Sequence, residues 1–364
     1  MKSIGGLWPK IITFSNLYAA WRKARRGKAD RISVAAFGRD LEPELLRLAT
    51  ELATELADGH YRPGRYRLFT VYERKPRQIA AAPFRDRVVH HAIMNHLEPA
   101  LDRSLIDDCY ACRQGKGAHR AVRRYQGWSR RYRYALKIDI ASYFASIDHR
   151  ILKTQLARKL RERPLLEVLG RIIDSGPAPS APAQWFDGDD LLTPVERPHG
   201  IPIGNLTSQF LANFYLNGLD HFIKEHLHVP AYLRYVDDMI LLGDRKQDLW
   251  RWHAEIVDYL AGLRLRLHPR KTRLAPVSTG MDVLGYRVFP QRIELRNDNG
   301  HRFARKLRGM ARAWAQSRYT LEDFKPSIAS WNGHAAHADS EGLRRTIFSN
   351  TVFCKTGEPH GDRA

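Results

Sequence analysis

The sequence predicts an α+β fold, with a mixed centre flanked by two basic, mainly helical regions. Three observations point there. Apolar residues recur at helical spacing in several long stretches, short β-type apolar runs interrupt them, and the alternation lacks the Gly-rich loops of dinucleotide and P-loop folds. "QGKGAH" (114–119) is too short for a Walker loop. With 364 residues and 43% apolar side chains, the chain has material for about two or three domains and a real hydrophobic core.

In chain order, the opening "MKSIGGLWPKIITFSNLYAAW" lacks the apolar core and small-residue cleavage site of a signal peptide. Residues 35–58 carry Leu41, Leu45, Leu48, Leu52 and Leu56 at spacings of three and four, one helical stripe. "RYRLFTVYERKPRQIAAAPF" (65–84) reads as a hairpin turning at Lys75–Pro76–Arg77. "RDRVVHHAIMNHLEPALD" (85–102) resumes the helical pattern, and residues 133–140 form a buried strand ending at Asp139. "HRILKTQLARKL" (149–160) is helical, and the Pro- and Gly-rich stretch 175–200 is a surface connection or insertion. An amphipathic helix over 208–227 leads into a β-type run, 231–244; from about 291 the chain is basic and helical, ending in the polar tail "KTGEPHGDRA".

Charge and cysteine content narrow the function. Sixty Lys and Arg stand against 39 Asp and Glu, a net +21, which points to a polyanionic partner, most commonly nucleic acid, ahead of the alternative of a merely basic soluble enzyme. The excess is concentrated early, with 28 basic and 13 acidic side chains over residues 1–137. "WRKARRGK" (21–28), "RPGRYRLF" (62–69) and "RRYQGWSRRYRY" (123–134) interleave aromatics with arginines, which suits phosphate neutralisation plus base stacking. No apolar run spans a membrane, and three cysteines fit a reducing cytoplasm rather than a disulfide scaffold. Cys109 and Cys112 have Cys-x-x-Cys spacing with His119 following, but a zinc site needs a fourth ligand, so small packing residues are the simpler reading. His334 and His337, three apart, lack acids or cysteines nearby and read as caps or nucleic-acid contacts beside a packed Trp331.

"AYLRYVDDMILLGD" (231–244) places Asp237 and Asp238 together inside an apolar run. Alone, the pair reads first as a hairpin turn, since Asp is a common turn residue. Asp139, ending another apolar strand, adds a third carboxylate. Three carboxylates in one cleft repel unless cations compensate them. Two Mg²⁺ ions, hard cations that choose oxygen ligands and leave room for phosphate, supply that compensation in an in-line phosphoryl displacement.

These residues resemble reverse transcriptases. "YVDD" (235–238) resembles their catalytic hairpin and "KIDIASYF" (137–144) the strand with the first metal ligand. "RDRVVHHAIMNHLEPALD" is similar to a fingers helix of bacterial members, and "LRLHPRKTRL" (265–274) and "VLGYRVF" (283–289) to the blocks after the hairpin. The resemblance implies a right-hand polymerase fold: basic fingers over 1–134, an RRM-like antiparallel palm sheet over 135–290 with the insertion 175–200, and a short helical thumb with the polar tail over 291–364. It implies Asp139 and Asp237 as ligands of both Mg²⁺ ions, Asp238 as the third carboxylate, and the Ile140 carbonyl in the metal and triphosphate shell. Ala141, Ser142 and Tyr143 would line the nucleotide, Phe144 would be the steric gate against a 2′-hydroxyl, and Arg77, helped by Lys75, would clamp the triphosphate. Lys271 would approach the pyrophosphate as general acid or electrostatic aid. In "ACRQGKGAH", Arg113, Lys116 and His119 would touch nucleic-acid backbone, as would Gly204, Asn205 and Gln209.

"HGIPIGNLTSQFLANFYLN" (199–217) has Ile203 where most bacterial members have glutamine, and closes on Ser208–Gln209. That pattern, with "NLYAAWRKARRGK" (16–28) and "SIASWNGHAAHAD" (327–339), resembles reverse transcriptases of diversity-generating retroelements. The resemblance implies copying of a template-repeat RNA into cDNA from dNTPs, with errors at adenines, and a small basic helical accessory protein forming an oligomeric ring. Ile203 cannot reward correct pairing by a hydrogen bond as glutamine can, so it would tolerate mispairs. Two rivals stand beside this reading: a reverse transcriptase of a retron, intron-derived or defence system, and a non-catalytic nucleic-acid-binding scaffold. "IGNLTSQ" speaks against the first and the intact acid trio against the second.

Overall fold

The computed structural model describes residues 3–53, 61–72, 76–177, 179 and 182–354. Leu56, Lys75 and the tail from 355 therefore lie outside the described residues. Helix and sheet are mixed throughout, as the sequence predicts, and nine strands carry the labels below. They are β1 (Arg67–Tyr72), β2 (Pro76–Ala81), β3 (Tyr134–Asp139), β4 (Ala231–Tyr235), β5 (Asp238–Gly243), β6 (Arg273–Pro276), β7 (Met281–Val283), β8 (Tyr286–Val288) and β9 (Ile293–Leu295). β1 and β2 form an antiparallel pair, a four-stranded sheet has the order β4-β5-β3-β6, and β7-β8-β9 form a third sheet.

The chain divides into two compact units, the first made of Met1–Gly115, Lys137–Met239 and Trp250–Thr272. Its N-terminal helices differ from the single helix expected over 35–58: Ile32–Arg39 and Leu41–Ala53 are separate. Pro43 explains the break, because its ring would clash with the Arg39 carbonyl in a continuous helix, whereas the first turn of a new helix tolerates it. Leu45, Leu48 and Leu52 are fully buried, as the stripe predicts. Phe84–Asp102 forms a helix whose Val88, Val89, Ile93 and Leu97 are all buried. It lies against the helix Phe14–Arg25, where Asn16 Nδ2 donates to the Ala92 carbonyl at 3.0 Å and Asn95 Nδ2 to Asn16 Oδ1 at 2.8 Å. The single helix expected over 208–227 is instead Leu206–Tyr215, Asn217–His221 and a π-helical turn Phe222–His226. Of the expected surface connection, residues 182–192 carry no helix or strand, and Leu191, Leu192 and Val195 are exposed.

The second unit comprises Lys116–Leu136, Ile240–Leu249 and Arg273–Ala364. β8 pairs antiparallel with both neighbours, through Met281↔Val288 and Tyr286↔Leu295. Three helices follow, Asn297–Ala315, Leu321–Ala335 and Glu341–Ser349. Phe303 and Trp331 stack at 3.9 Å between ring centres, and Trp331 Nε1 donates to Asn299 Oδ1 at 2.8 Å. A reciprocal Thr320–Asp323 cap starts the second of these helices. Among the described residues, no helix is long and apolar enough to cross a membrane.

Candidate active site

β3 is apolar and buried at Ala135, Leu136 and Ile138, and delivers Asp139 at its end. The next residues are stitched to a neighbouring segment. His268 N donates to the Asp139 carbonyl at 2.7 Å, Ala141 N donates to the Arg266 carbonyl at 2.8 Å, and Ile140 is bridged to Leu267. Ser142 then takes a left-handed φ of 47°, and the chain turns into a short helix, Tyr143–Ser146. Tyr143 is buried, and Phe144 stands half-buried, edge-on to it at 5.8 Å.

The aspartate pair occupies the link between β4 and β5, where Val236 and Asp237 form a two-residue turn and Asp238 begins β5. Two-residue hairpin turns call for positive φ, usually supplied by Gly or Asn. Val236 adopts φ 57° despite its branched side chain, a strain of about 1–2 kcal/mol. The turn reading of "YVDD" therefore holds, and the turn is compatible with presenting Asp237 as a carboxylate.

Charge is only partly compensated there. Lys271 Nζ lies 2.6 Å from Asp139 Oδ1, and Lys137 Nζ 3.2 Å from Asp238 Oδ1. Among the described residues Asp237 has no such lysine contact; burial, then the nearby Asp139 and Asp238 carboxylates, push its carboxyl up to about 6, against a smaller opposing pull from Lys271. Among the described residues, no three His, Cys, Asp or Glu side chains stand as a ready metal-ligand set. The donors are nevertheless all oxygen, and a carboxyl raised first by burial and then by two like neighbours would be relieved by a positive charge, which suits a hard divalent cation. Lys137 was not singled out from the sequence. Its signal is a lone cation in an otherwise apolar strand, two residues before the aspartate.

The segment after Gly200 connects two further groups of candidate residues. Ile201 N donates to the Phe144 carbonyl at 2.8 Å, and Ala80 N in β2 donates to the Ile203 carbonyl at 3.0 Å. Gly204 has φ 116°, and a Cβ there would stand 2.7 Å from Ile79 Cγ2. Arg77 is exposed within β2, paired with Val71 of β1 rather than at the tip of the hairpin. Asn205 is buried at the start of the helix Leu206–Tyr215, and Gln209 is exposed on it.

Arg113 has a different setting from the one expected of a backbone contact. Its fork grips Asp102 at 2.6 Å and donates to the carbonyls of Ile106 and Cys109 at 2.7 and 2.9 Å, with its side chain only 8% exposed. Cys109 is buried and its thiol pushed up to about 11, while Cys112 is exposed; both are free. In the second unit, Lys116 is half-buried and His119 stacks on His337 at 3.5 Å between ring centres. His334 lies beside Tyr286, whose hydroxyl is 2.9 Å from His334 Nδ1.

The chain is similar to Protein YkfC of Escherichia coli (strain K12), 25% identical over 289 residues, which cover 68% of this chain and 73% of that protein. Its fold is similar to that of apo telomerase from Candida tropicalis truncated from its C-terminal domain: 14% identity, 64% of this chain and 55% of that one, TM-score 0.43. For apo telomerase of the same organism the values are 13%, 65% and 48%, with a TM-score of 0.46. The chain thus spans about half the length of those telomerase chains. The family model for reverse transcriptase (RNA-dependent DNA polymerase) matches residues 71–288, more than half of the chain and the whole stretch from Arg77 to Lys271. Asp139, Asp237 and Asp238 all fall inside that match, and the chain belongs to the reverse transcriptase family of RNA-dependent DNA polymerases.

Proposed function

We propose that this chain copies the template-repeat RNA of a diversity-generating retroelement into cDNA, with errors concentrated opposite template adenines. The observation that carries the polymerase chemistry is the Asp139–Asp237–Asp238 cluster, whose central carboxyl is raised to about 6 by burial and by its two neighbours. Asp139 and Asp237, with Asp238 and the Ile140 carbonyl beside them, would hold two Mg²⁺ ions. Bound there, the ions would neutralise the triphosphate and would lower the pKa of the attacking primer hydroxyl. The chain's own groups do the rest. Ala141, Ser142 and Tyr143 shape the floor under the nucleotide, Phe144 excludes a 2′-hydroxyl, and Arg77, with Lys75 beyond the described residues, clamps the triphosphate. Lys271 leaves Asp139 for the pyrophosphate as charge develops on it.

Fingers, palm and thumb then follow the division at 134 and 290 given above. Gly204 and Gln209 would touch template RNA or cDNA, with Asn205, buried at the start of the helix Leu206–Tyr215, supporting them from within the fold; Lys116 and His119 would touch nucleic-acid backbone on their own unit. Arg113, whose donors are engaged within the fold, braces that loop instead. Ile203 supports the mutagenic half of the reading, because an apolar side chain there discriminates poorly between a paired and a mispaired nucleotide. The partners are template RNA, cDNA, dNTPs and a small basic helical protein in an oligomeric ring, in the cytoplasm.

The test is sequencing of cDNA made by the full chain with its native RNA and accessory protein, using Asp237→Asn as control. Errors heaped opposite adenine, absent with Asp237→Asn, support the reading. Accurate, evenly distributed cDNA keeps the polymerase and overturns the mutagenic half. No cDNA from the wild-type chain under these conditions overturns both halves.

A further inference from the structure

Arg234, three residues before Asp237, is the largest fully buried side chain among the described residues, and its partner Asp220 is equally shut from water. Its guanidinium makes five hydrogen bonds, one for each N–H it carries. Nε and Nη2 meet Asp220 Oδ1 and Oδ2 at 2.8 and 2.6 Å. Nη1 and Nη2 donate to Asn213, to Oδ1 at 3.1 Å and to the carbonyl at 3.0 Å. The remaining Nη1–H donates to the Val236 carbonyl at 3.0 Å. The frame around the fork is itself held. The Tyr232 hydroxyl donates to Asp220 Oδ1 at 2.7 Å, Asn213 Nδ2 donates to the Ala111 carbonyl, and the Arg234 backbone pairs with Asp108 and Tyr110.

Stability does not explain this arrangement. Two ions removed from water pay a desolvation penalty that their attraction repays only with excellent geometry, and volume-matched apolar residues are often as stable or more so. What apolar residues cannot do is reach the Val236 carbonyl. That carbonyl belongs to the strained residue of the catalytic turn, with φ 57°. One charge-assisted hydrogen bond is of the size needed to offset the strain.

We propose that Arg234 is a positioning residue for the catalytic turn: squared up by Asp220 and Asn213, its fork holds the Val236 carbonyl and so fixes the left-handed turn that presents Asp237. This rests on reading Asp237 as a catalytic carboxylate. Lysine cannot substitute, because a point charge with rotatable donors does not span Asp220, Asn213 and Val236 at once.

The experiment compares wild type, Arg234→Lys, Arg234→Lys with Val236→Gly, and Asp237→Asn, all with native RNA and accessory protein. It reads single-turnover incorporation, the KM for dNTP and, on the substrate-free chain, Mn²⁺ affinity by electron paramagnetic resonance. Arg234→Lys is expected to lower kcat about 10- to 100-fold with KM within twofold, and to weaken Mn²⁺ binding about fivefold or more. Glycine adopts positive φ without a tether, so adding Val236→Gly is expected to restore about tenfold of the lost kcat. Should Arg234→Lys fail to fold, the charge-free pair Arg234→Met with Asp220→Leu replaces it, with the same expected loss and the same rescue. A kcat or Mn²⁺ affinity at the wild-type level, or a loss that Val236→Gly leaves untouched, overturns the proposal while a silent Asp237→Asn keeps the active-site reading. Wild-type extension by Asp237→Asn, or a silent wild type, overturns that reading and this inference with it.

Discussion

Lys271 holds Asp139, with Nζ and Oδ1 2.6 Å apart, and the turn that carries the lysine is hydrogen-bonded to the end of the same strand through His268 N and the Asp139 carbonyl at 2.7 Å. The lysine side chain is 46% exposed, so the pair contributes little to stability, on the order of 1 kcal/mol or less. In the proposed two-metal site, its importance would lie in competition for an oxygen that a divalent cation also wants.

Replacing the lysine therefore separates two effects. Lys271→Met is expected to bind Mn²⁺ several-fold more tightly in the substrate-free state, because Asp139 Oδ1 is released. The same variant is expected to lose about tenfold or more in kcat, because no cation moves to the pyrophosphate. Paramagnetic titration and single-turnover extension read the two separately; weaker Mn²⁺ binding with unchanged kcat would remove Lys271 from the mechanism.

Asp237→Asn is expected to abolish extension and yet to stabilise the metal-free chain. The aspartate's folded value of about 6 lies above the ordinary 3.8, so its charged form costs up to about 3 kcal/mol at every pH above 6. The cost fades as pH falls through 6 towards 4. In chelator, the Tm advantage of the asparagine variant should be largest at pH 7.5 and vanish near pH 4. A constant difference across that range contradicts the assigned charge state.

The carboxylates were legible in the sequence because each ends or interrupts an apolar run, and a charge in such a place demands an explanation. The stripe Leu45, Leu48 and Leu52, fully buried in the helix Leu41–Ala53, was legible for the same reason of period. Other features carry no local signal. Arg234 finds Asp220 fourteen residues away in sequence, across a helix break that the continuous amphipathic pattern of 208–227 conceals. β7, β8 and β9 have three residues each, too few to show alternation. Arg113 reads as a free cation until the fold brings Asp102 and two carbonyls to it. The two contact units, each assembled from three separate segments, are a property of the folded chain that sequence order cannot display.

The turn at Ile203 and Gly204 offers a third test. Gly204→Ala forces a side chain into φ 116° and against Ile79 Cγ2, at a cost of about 1–3 kcal/mol. The expected outcome is a lower Tm together with a raised KM for dNTP, measured by calorimetry and extension kinetics. Ile203→Gln, which keeps the backbone, is expected to leave Tm within about 2 °C and to lower errors opposite adenine. An unchanged adenine error spectrum would take Ile203 out of the account of infidelity.

His90 predicts an acid limit unrelated to catalysis. It is 1% exposed, its Nε2 has no hydrogen-bond partner among the described residues, and burial, helped by His91 and Arg87, lowers its pKa to about 3. Between pH 6.5 and 3 the unfolded chain binds a proton that the folded imidazole refuses, so His90 makes stability fall by about 1.4 kcal/mol per pH unit. His90→Leu should leave stability at pH 7.5 within about 1 kcal/mol and flatten that slope by one proton. Denaturant unfolding at pH 7.5, 6 and 5 measures it, and identical slopes would assign the proton elsewhere.

The hydrogen bond from Ala80 to the Ile203 carbonyl makes one mechanical linkage of two places that selection would otherwise adjust separately. The strand bearing Arg77 cannot shift without dragging the turn at Ile203, and Gly204 leaves no slack between them. In the roles proposed for Arg77 and Ile203, grip on the incoming triphosphate and tolerance of a wrong base would then be two readings of the same lever. On that reading, an evolving lineage that loosens one would loosen the other, low fidelity would come at the expense of nucleotide affinity, and a variant made more accurate at Ile203 should also work at lower dNTP.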